Sequence, residues 1–286
     1  MLPAADRGGR LPLVLIPGAG GFSASNERLD GLVELCRQHG ETVLIDYPEL
    51  QWHLRHADLG ALTEEIHARI LRRMGHRPFV LAGVSLGAIV GALAVRLHRG
   101  DLHVVRIVGL DPVGSLDPDG SLENQLGPGW LARNLTRARR AGPAGLPGFL
   151  WIRFNRSIAR VLAPRLRRKG GLASLAARLL PRVGTGLFCQ QLRMRLLVDT
   201  TARWRRDGAW RRDRVAAPRD VPCMILLTSD TAFDADFWAM HFNQVDVLGI
   251  EGDHDTWHEL DGPRMLLEQW DAAFTPADRD QAAAAL

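Results

Sequence analysis

Cysteine is scarce in this chain, with Cys36, Cys189 and Cys223 the only 3 among 286 residues. They are too few and too scattered for a disulfide framework or a C-x-x-C metal site, so a reducing, cytoplasmic setting is expected. Long apolar runs are missing as well: Arg, Gly or Pro interrupts each candidate before the ~20 residues that a membrane span needs, and no span is expected. Arg7 and Arg10 precede Leu11 to Ile16 in the charge order of a secretory leader. That run is short and flanked by Pro12 and Pro17, and it reads as a strand instead. Lysine is nearly absent, Lys169 being the single lysine among 36 basic residues.

Acidic residues are lacking from one long stretch. Residues 131–219 hold 21 Arg and Lys169 against Asp199, Asp207 and Asp213, a balance of +19 in a chain of net charge +4, which leaves −15 on the remainder. A GC-rich genome explains Arg in place of Lys but not the clustering, and the cluster points to an anionic partner. At 46% hydrophobic and 24% charged, with 29 Gly and 16 Pro, the chain falls in the globular range, which excludes collagen, mucin and low-complexity classes.

Apolar, β-rich runs recur at Leu11 to Ile16, Thr42 to Asp46, Phe79 to Val84, Val104 to Leu110, Cys223 to Thr228 and Val245 to Ile250. Helical patterns separate them, and continuous apolar strands alternating with helices predict a doubly wound, mostly parallel α/β sheet covered on both faces. Leu62, Ile66, Ile70 and Leu71 make one stripe of a helix over Ala57 to Met74 that Gly75 closes. Residues 115–220 are helical in pattern and contain the basic cluster. Leu172, Leu175, Ala176 and Leu179 form one stripe there, and Phe188, Leu192 and Leu196 another, divided by Pro143, Pro147, Pro164 and Pro181. The expected organisation is therefore a core of residues 1–114 and 221–286 with an Arg-rich helical lid inserted at 115–220. The tail at Ala282 to Ala285 is expected to fray.

Three segments carry chemistry. Gly83-Val84-Ser85-Leu86-Gly87 has the form G-x-S-x-G, after an expected strand and before a helical run at Ala88 to Leu97. In that context Ser85 is a nucleophile on a sharp strand-to-helix turn, its neighbouring glycines making room for the packed backbone. Pro17-Gly18-Ala19-Gly20-Gly21 follows the first strand. An oxyanion needs two preorganised donors, which the Leu86 amide and that of Gly18 or Ala19 would supply. The loop lacks a dinucleotide fingerprint and a P-loop Gly-Lys-Ser/Thr, so nucleotide binding is not expected. Glu251-Gly252-Asp253-His254 follows the last strand, on the sheet edge from which a base can reach Ser85, and His254 is the expected base. His258 lies at i+4 from His254, but no third ligand is spaced to complete a metal site; His241 falls inside an expected helix and is the weaker base candidate. Two aspartates end strands, Asp111 and Asp230, and either keeps the order Ser, Asp, His.

With these motifs the chain resembles the thioesterase domains of the α/β-hydrolase superfamily that release products from nonribosomal peptide and polyketide synthases. The resemblance rests on the Pro-x-x-Gly-Gly loop at Pro17 to Gly21, the elbow at Ser85, the Leu-Asp strand end at Asp111, a helical lid after it, and Gly-Asp-His at 252–254. It departs at Val84 and Leu86, where the family often has Tyr or His and Ala, and in its longer basic lid. Terminal domains carry the acid after the strand that follows the elbow strand, which implies Asp111, 26 residues past Ser85. Free-standing editing relatives carry it one strand later, which implies Asp230; Asp111 is preferred.

The resemblance implies a serine thioesterase that takes an acyl, peptidyl or polyketide chain from a carrier-protein thioester and releases it by hydrolysis or cyclisation. It needs no cofactor, the substrate arriving on a phosphopantetheine arm. An acidic carrier protein docking on the basic lid is the expected partner, with no nucleic acid. No carrier segment with an Asp-Ser-Leu attachment site precedes the hydrolase motifs, so a free-standing enzyme or an excised domain is expected. Trp130, Phe149, Trp151 and Phe154 are candidates for an acyl channel. Two further readings compete: a lidded carboxylesterase or lipase acting on free esters, and a non-enzymatic module whose Arg-rich helices bind nucleic acid or an anionic membrane.

Overall fold

The computed structural model describes residues 10–22, 29–56, 58–97, 101–112, 158, 186–206, 220–231, 233–254 and 256–273. Six aliphatic runs become strands: β1 (Leu13–Ile16), β2 (Thr42–Leu44), β3 (Phe79–Val84), β4 (Val104–Leu110), β5 (Cys223–Leu227) and β6 (Val245–Gly249). Each lies within an expected run. They form one sheet in the order β2-β1-β3-β4-β5-β6, with all neighbouring strands parallel.

The described helices are α1 (Asp30–His39), α2 (Leu50–Arg55), α3 (Leu59–Met74), α4 (Leu86–Leu97), α5 (Gly186–Arg206), α6 (Ala235–His241) and α7 (Gly262–Ala272). Strand periodicity sorts the core into two faces. Leu13 and Leu15 pack with Leu32, Val33 and Cys36 of α1 and with Leu266 and Trp270 of α7. Val14 and Ile16 point the other way, toward α4, where a Cβ added at Gly91 would stand 3.0 Å from Ile16 Cδ1. β1 and β3 are buried along their whole length, whereas the edge strand β6 is largely exposed, Val247 and Leu248 included, so the expected cover on both faces does not extend to it. Each fully buried Leu or Ile stabilises the fold by about 1.5–3 kcal/mol. In α3 the stripe Leu62, Ile66 and Ile70 is buried as its spacing predicts. Gly75 then ends the helix with φ +57°, its N–H bonded to Leu71 O at 2.8 Å.

The described residues fall into two compact units, one within Met1–Tyr47, Gly60–Gly114 and Arg214–Leu286, the other within Pro48–Leu59 and Ser115–Asp213. The first unit holds the sheet. In the second, α2 and α5 pack through Leu50, Leu192 and Leu196, with Leu54 and Cys189 half-buried against them. The segment at 48–59 thus groups with α5 and not with the unit that holds the sheet, Leu50 being buried against Leu192 and Leu196. The stripe at Leu172 to Leu179, the aromatic residues Trp130, Phe149, Trp151 and Phe154, and the Ala282 to Ala285 tail lie outside the described residues, as does most of the basic cluster.

The strand order places the site. From β1 the chain goes to β2 on one side and then crosses to β3 on the other. The C-terminal ends of β1 and β3 therefore flank a topological switch point, the crevice where ligands bind in open α/β sheets. The Pro17–Gly21 loop and Ser85 leave from those two ends.

Candidate active site

Ser85 sits between the last residue of β3 and the first of α4, with φ 52°. A left-handed backbone at a residue with a Cβ costs about 1–2 kcal/mol, and the packing around it holds it there. The flanking glycines are sterically required. A Cβ at Gly83 would stand 2.4 Å from Ala88 Cα, and one at Gly87 2.3 Å from the Pro17 carbonyl oxygen. The elbow is thereby pressed against the glycine loop, whose Pro17 carbonyl also accepts the buried Tyr47 hydroxyl at 2.9 Å. Gly18 faces the serine directly: a Cβ on it would lie 3.5 Å from Ser85 Cβ. The Gly18 carbonyl is turned to Gly21 N at 2.9 Å, closing the loop. Leu86 opens α4, so its N–H is one of the helix-start amides with no intrahelical acceptor, at the positive end of the helix dipole. Gly18, Ala19 and Leu86 thus come from the two segments that converge on Ser85.

His254 lies in the loop after β6. Gly252 allows the turn with φ 98°, and the Asp253 carbonyl accepts from Thr256 N at 2.9 Å and Trp257 N at 3.1 Å. The imidazole bridges two partners: Nε2 is 3.3 Å from Ser85 Oγ, and Nδ1 is hydrogen-bonded to Asp111 Oδ2. An ionised carboxylate only accepts, so Nδ1 carries the proton and Nε2 is left to accept from the serine hydroxyl. This is the arrangement in which a hydroxyl can be deprotonated as it attacks.

Asp111 also has a left-handed backbone, with φ 45°, and is fully buried. The two special residues repeat one device, since Ser85 N–H bonds to Leu110 O and Asp111 N–H to Leu226 O, each at 2.7 Å. Each leaves its strand by a bond to the end of the next strand. Asp111 Oδ1 accepts from Thr228 N at 3.0 Å and Thr228 Oγ1 at 2.7 Å, while Oδ2 accepts from Thr231 Oγ1 at 3.1 Å as well as from His254. Burial pushes this carboxyl's pKa up, but the hydrogen bonds and charge of His254 and the bonds from Thr228 outweigh it and hold the pKa below the usual value.

Of the two aspartates the sequence left open, the His254 ring is bonded to Asp111. Asp230 lies beside it and accepts from the His254 main-chain N–H at 3.1 Å and from Thr228 Oγ1 at 2.8 Å. Thr228, Thr231 and Tyr47 were not singled out by sequence reasoning. Thr228 and Thr231 flank Asp230 in the turn that ends β5, which is the only signal that marks them. His241, the weaker base candidate, is buried in α6 with Nδ1 hydrogen-bonded to Arg96. Burial and the Arg96 charge lower its pKa to about 3, which keeps it neutral. His258 pairs with Glu259 at 3.5 Å. No group of three His, Cys, Asp or Glu among the described residues is placed to hold a metal ion, and no helix among them is long and apolar enough to cross a membrane.

Comparison with known proteins agrees with this architecture. The chain resembles the RedJ thioesterase from the prodiginine biosynthetic pathway of Streptomyces coelicolor at 17% identity and TM-score 0.53, covering 92% of this chain and 85% of that one. It resembles Cfl2 from Burkholderia cenocepacia at 18% identity and TM-score 0.55, covering 94% and 90%. A putative epoxide hydrolase from Pseudomonas aeruginosa, solved as its t131d mutant, aligns at 18% identity and TM-score 0.53, covering 94% and 93%. At such identities the likeness is one of fold. No curated protein matches. The model of the alpha/beta hydrolase family matches residues 13–284, nearly the whole chain, and the protein belongs to that family.

Proposed function

We propose that the protein is a serine thioesterase that accepts an acyl, peptidyl or polyketide chain from a carrier-protein thioester onto Ser85 and releases it. The observation that carries this reading is His254 spanning Ser85 Oγ and Asp111 with its two ring nitrogens. His254 Nε2 takes the hydroxyl proton as Ser85 Oγ adds to the thioester carbonyl, and Asp111 stabilises the imidazolium. The Leu86 amide and that of Gly18 or Ala19 hold the oxyanion. Collapse expels the thiolate, which takes the proton from His254 and leaves an acyl ester on Ser85. Water, or a hydroxyl or amine of the chain itself, then gives its proton to His254 and attacks that ester; collapse releases an acid, a lactone or a lactam, and His254 returns the proton to the departing Ser85 Oγ.

Thioester specificity is supported by the motif resemblance and by the likeness in fold to a thioesterase. The cluster at residues 131–219 supports an acidic carrier protein as partner, since complementary charge raises encounter rates and fixes orientation. No cofactor is called for by this chemistry. The test is incubation with an acyl-pantetheine thioester, with intact mass used to follow acylation of the protein and of Ser85→Ala, His254→Ala, Asp111→Asn and Asp230→Asn. A Ser85-dependent adduct is the expected result. Faster turnover of p-nitrophenyl esters than of pantetheine thioesters would assign the protein to the carboxylesterases. Absence of fluorophosphonate labelling together with binding to DNA or anionic vesicles would make it a non-enzymatic binding module.

A further inference from the structure

We infer that Asp230 is a positioning residue that holds the His254 main chain in place, so that the imidazole spans the gap between Asp111 and Ser85. This rests on the serine-hydrolase reading of the site. Asp230 stands in the turn after β5, where a triad acid could stand, yet the imidazole is bonded to Asp111 and not to it. Its Oδ1 accepts from the His254 backbone N–H at 3.1 Å and from Thr228 Oγ1 at 2.8 Å. The Thr228 hydroxyl in turn lies 2.7 Å from Asp111 Oδ1. One oxygen of Asp230 thus ties the loop that carries the base to the turn that grips the acid.

Proton bookkeeping explains why the amide matters. Thr228 Oγ1 has a single proton and faces two carboxylate oxygens, with Thr231 Oγ1 3.0 Å away as a further neighbour. When that proton goes to Asp111, the His254 N–H is the donor left to Asp230 Oδ1. Asp230 and the His254 amide therefore complete one another, and Thr228 Oγ1 links the acid to the tether. The rest of the His254 loop is anchored on its far side, through Asp253 and Thr256 and through Glu251 N bonded to Asp261 Oδ1 at 2.9 Å. On the side facing β5, the Asp230 contact is what sets where the imidazole begins. The Ser85–His254 distance of 3.3 Å is already at the long end for a hydrogen bond, so a small shift of this loop opens it.

The role needs an acceptor and not a charge, which separates it from that of a triad acid. Asp230→Ala removes the acceptor, whereas Asp230→Asn keeps a carbonyl oxygen there. The variants are measured with an acyl-pantetheine thioester, beside the melting temperature and the downfield proton resonance of His254 Nδ1–H. Asp230→Ala is expected to lower kcat about tenfold, the worth of one well-placed hydrogen bond, with KM within twofold and the resonance shifted or broadened. Asp230→Asn is expected to recover kcat to within about threefold of the unmodified protein. Asp230→Ala with unchanged kcat and an unmoved resonance would overturn the inference. So would Asp230→Asn as impaired as Asp230→Ala, since that makes the charge the working feature. The unmodified protein serves as the control on the underlying reading: no Ser85-dependent acylation in it refutes the thioesterase function, whereas normal acylation with an indifferent Asp230 refutes only the positioning role.

Discussion

Asp111→Asn removes one charge and changes almost nothing in shape. Asn tolerates the left-handed φ of 45° about as well as Asp, so the backbone should hold. The carboxamide has two ways to lie. With its NH₂ at the Oδ1 place it would face the Thr228 N–H and Oγ1, found at 3.0 and 2.7 Å in the native protein. The backbone N–H cannot turn away, and a buried donor against a donor costs about 1–3 kcal/mol. The NH₂ therefore takes the Oδ2 place and points at His254 Nδ1, where only an accepting nitrogen is satisfied. The ring proton moves to Nε2, which then presents a donor to Ser85 Oγ and cannot act as its base. Triads trapped in that tautomer lose about 10⁴-fold in kcat, equivalent to about 5.5 kcal/mol of barrier. The assay is single-turnover acylation from an acyl-pantetheine thioester, with fluorophosphonate labelling as a substrate-independent measure and a thermal melt as the control on folding. An Asp111→Asn protein within tenfold of the parent, with Asp230→Asn down by 10⁴, would refute the reasoning and make Asp230 the acid.

Further outcomes follow from the same geometry. Ser85→Gly relieves the strained φ of 52° and should melt a few degrees above Ser85→Ala, both lacking acylation; equal melting temperatures would remove the claim of stored strain. Gly83→Ala and Gly87→Ala, whose added carbons would stand 2.4 and 2.3 Å from backbone atoms, should each cost about 3 kcal/mol or more and abolish fluorophosphonate labelling, as read by denaturant titration. Asp111 binds its proton less readily in the folded than in the unfolded protein. Its contribution to stability is therefore present above the unfolded carboxyl pKa near 3.9 and lost as pH falls through its lower folded value; in acid titrations followed by circular dichroism, Asp111→Asn should lack that component. Turnover of a carrier-bound substrate should fall with added salt and with charge reversal at Arg205, Arg206, Arg211 and Arg212, while turnover of a pantetheine thioester stays unchanged; insensitivity in the carrier assay would refute docking on the basic segment.

The local parts of this protein were readable in one dimension. Strands buried on both faces must be apolar along their whole length, so β1 and β3 announced themselves as runs, and β6 was found by its Val and Leu although it is largely exposed. The packing at the elbow leaves no room for a Cβ at residues 83 and 87, so the glycines around Ser85 had to be in the sequence to be found. His254, directly after the final strand, follows from the rule that parallel strands deliver their reactive loops to one edge.

The choice between Asp111 and Asp230 could not be read that way. Both end a strand, both keep the chain order, and their strands are neighbours with Leu110 opposite Leu226. What separates them is that Asp111, with its left-handed backbone, is the one whose carboxylate is hydrogen-bonded to the imidazole Nδ1. Thr228 and Thr231 donate to it from another strand end, and Asp230 meets the His254 amide instead. Likewise the grouping of 48–59 with α5 depends on Leu50 meeting Leu192 and Leu196 across more than a hundred residues of chain. Composition and periodicity record which residues must be buried and which turns need glycine, because those demands act on a residue through its own backbone and side chain. Partner choice among equivalent polar groups is decided by distance and direction in space, and those exist only once the strands are in register.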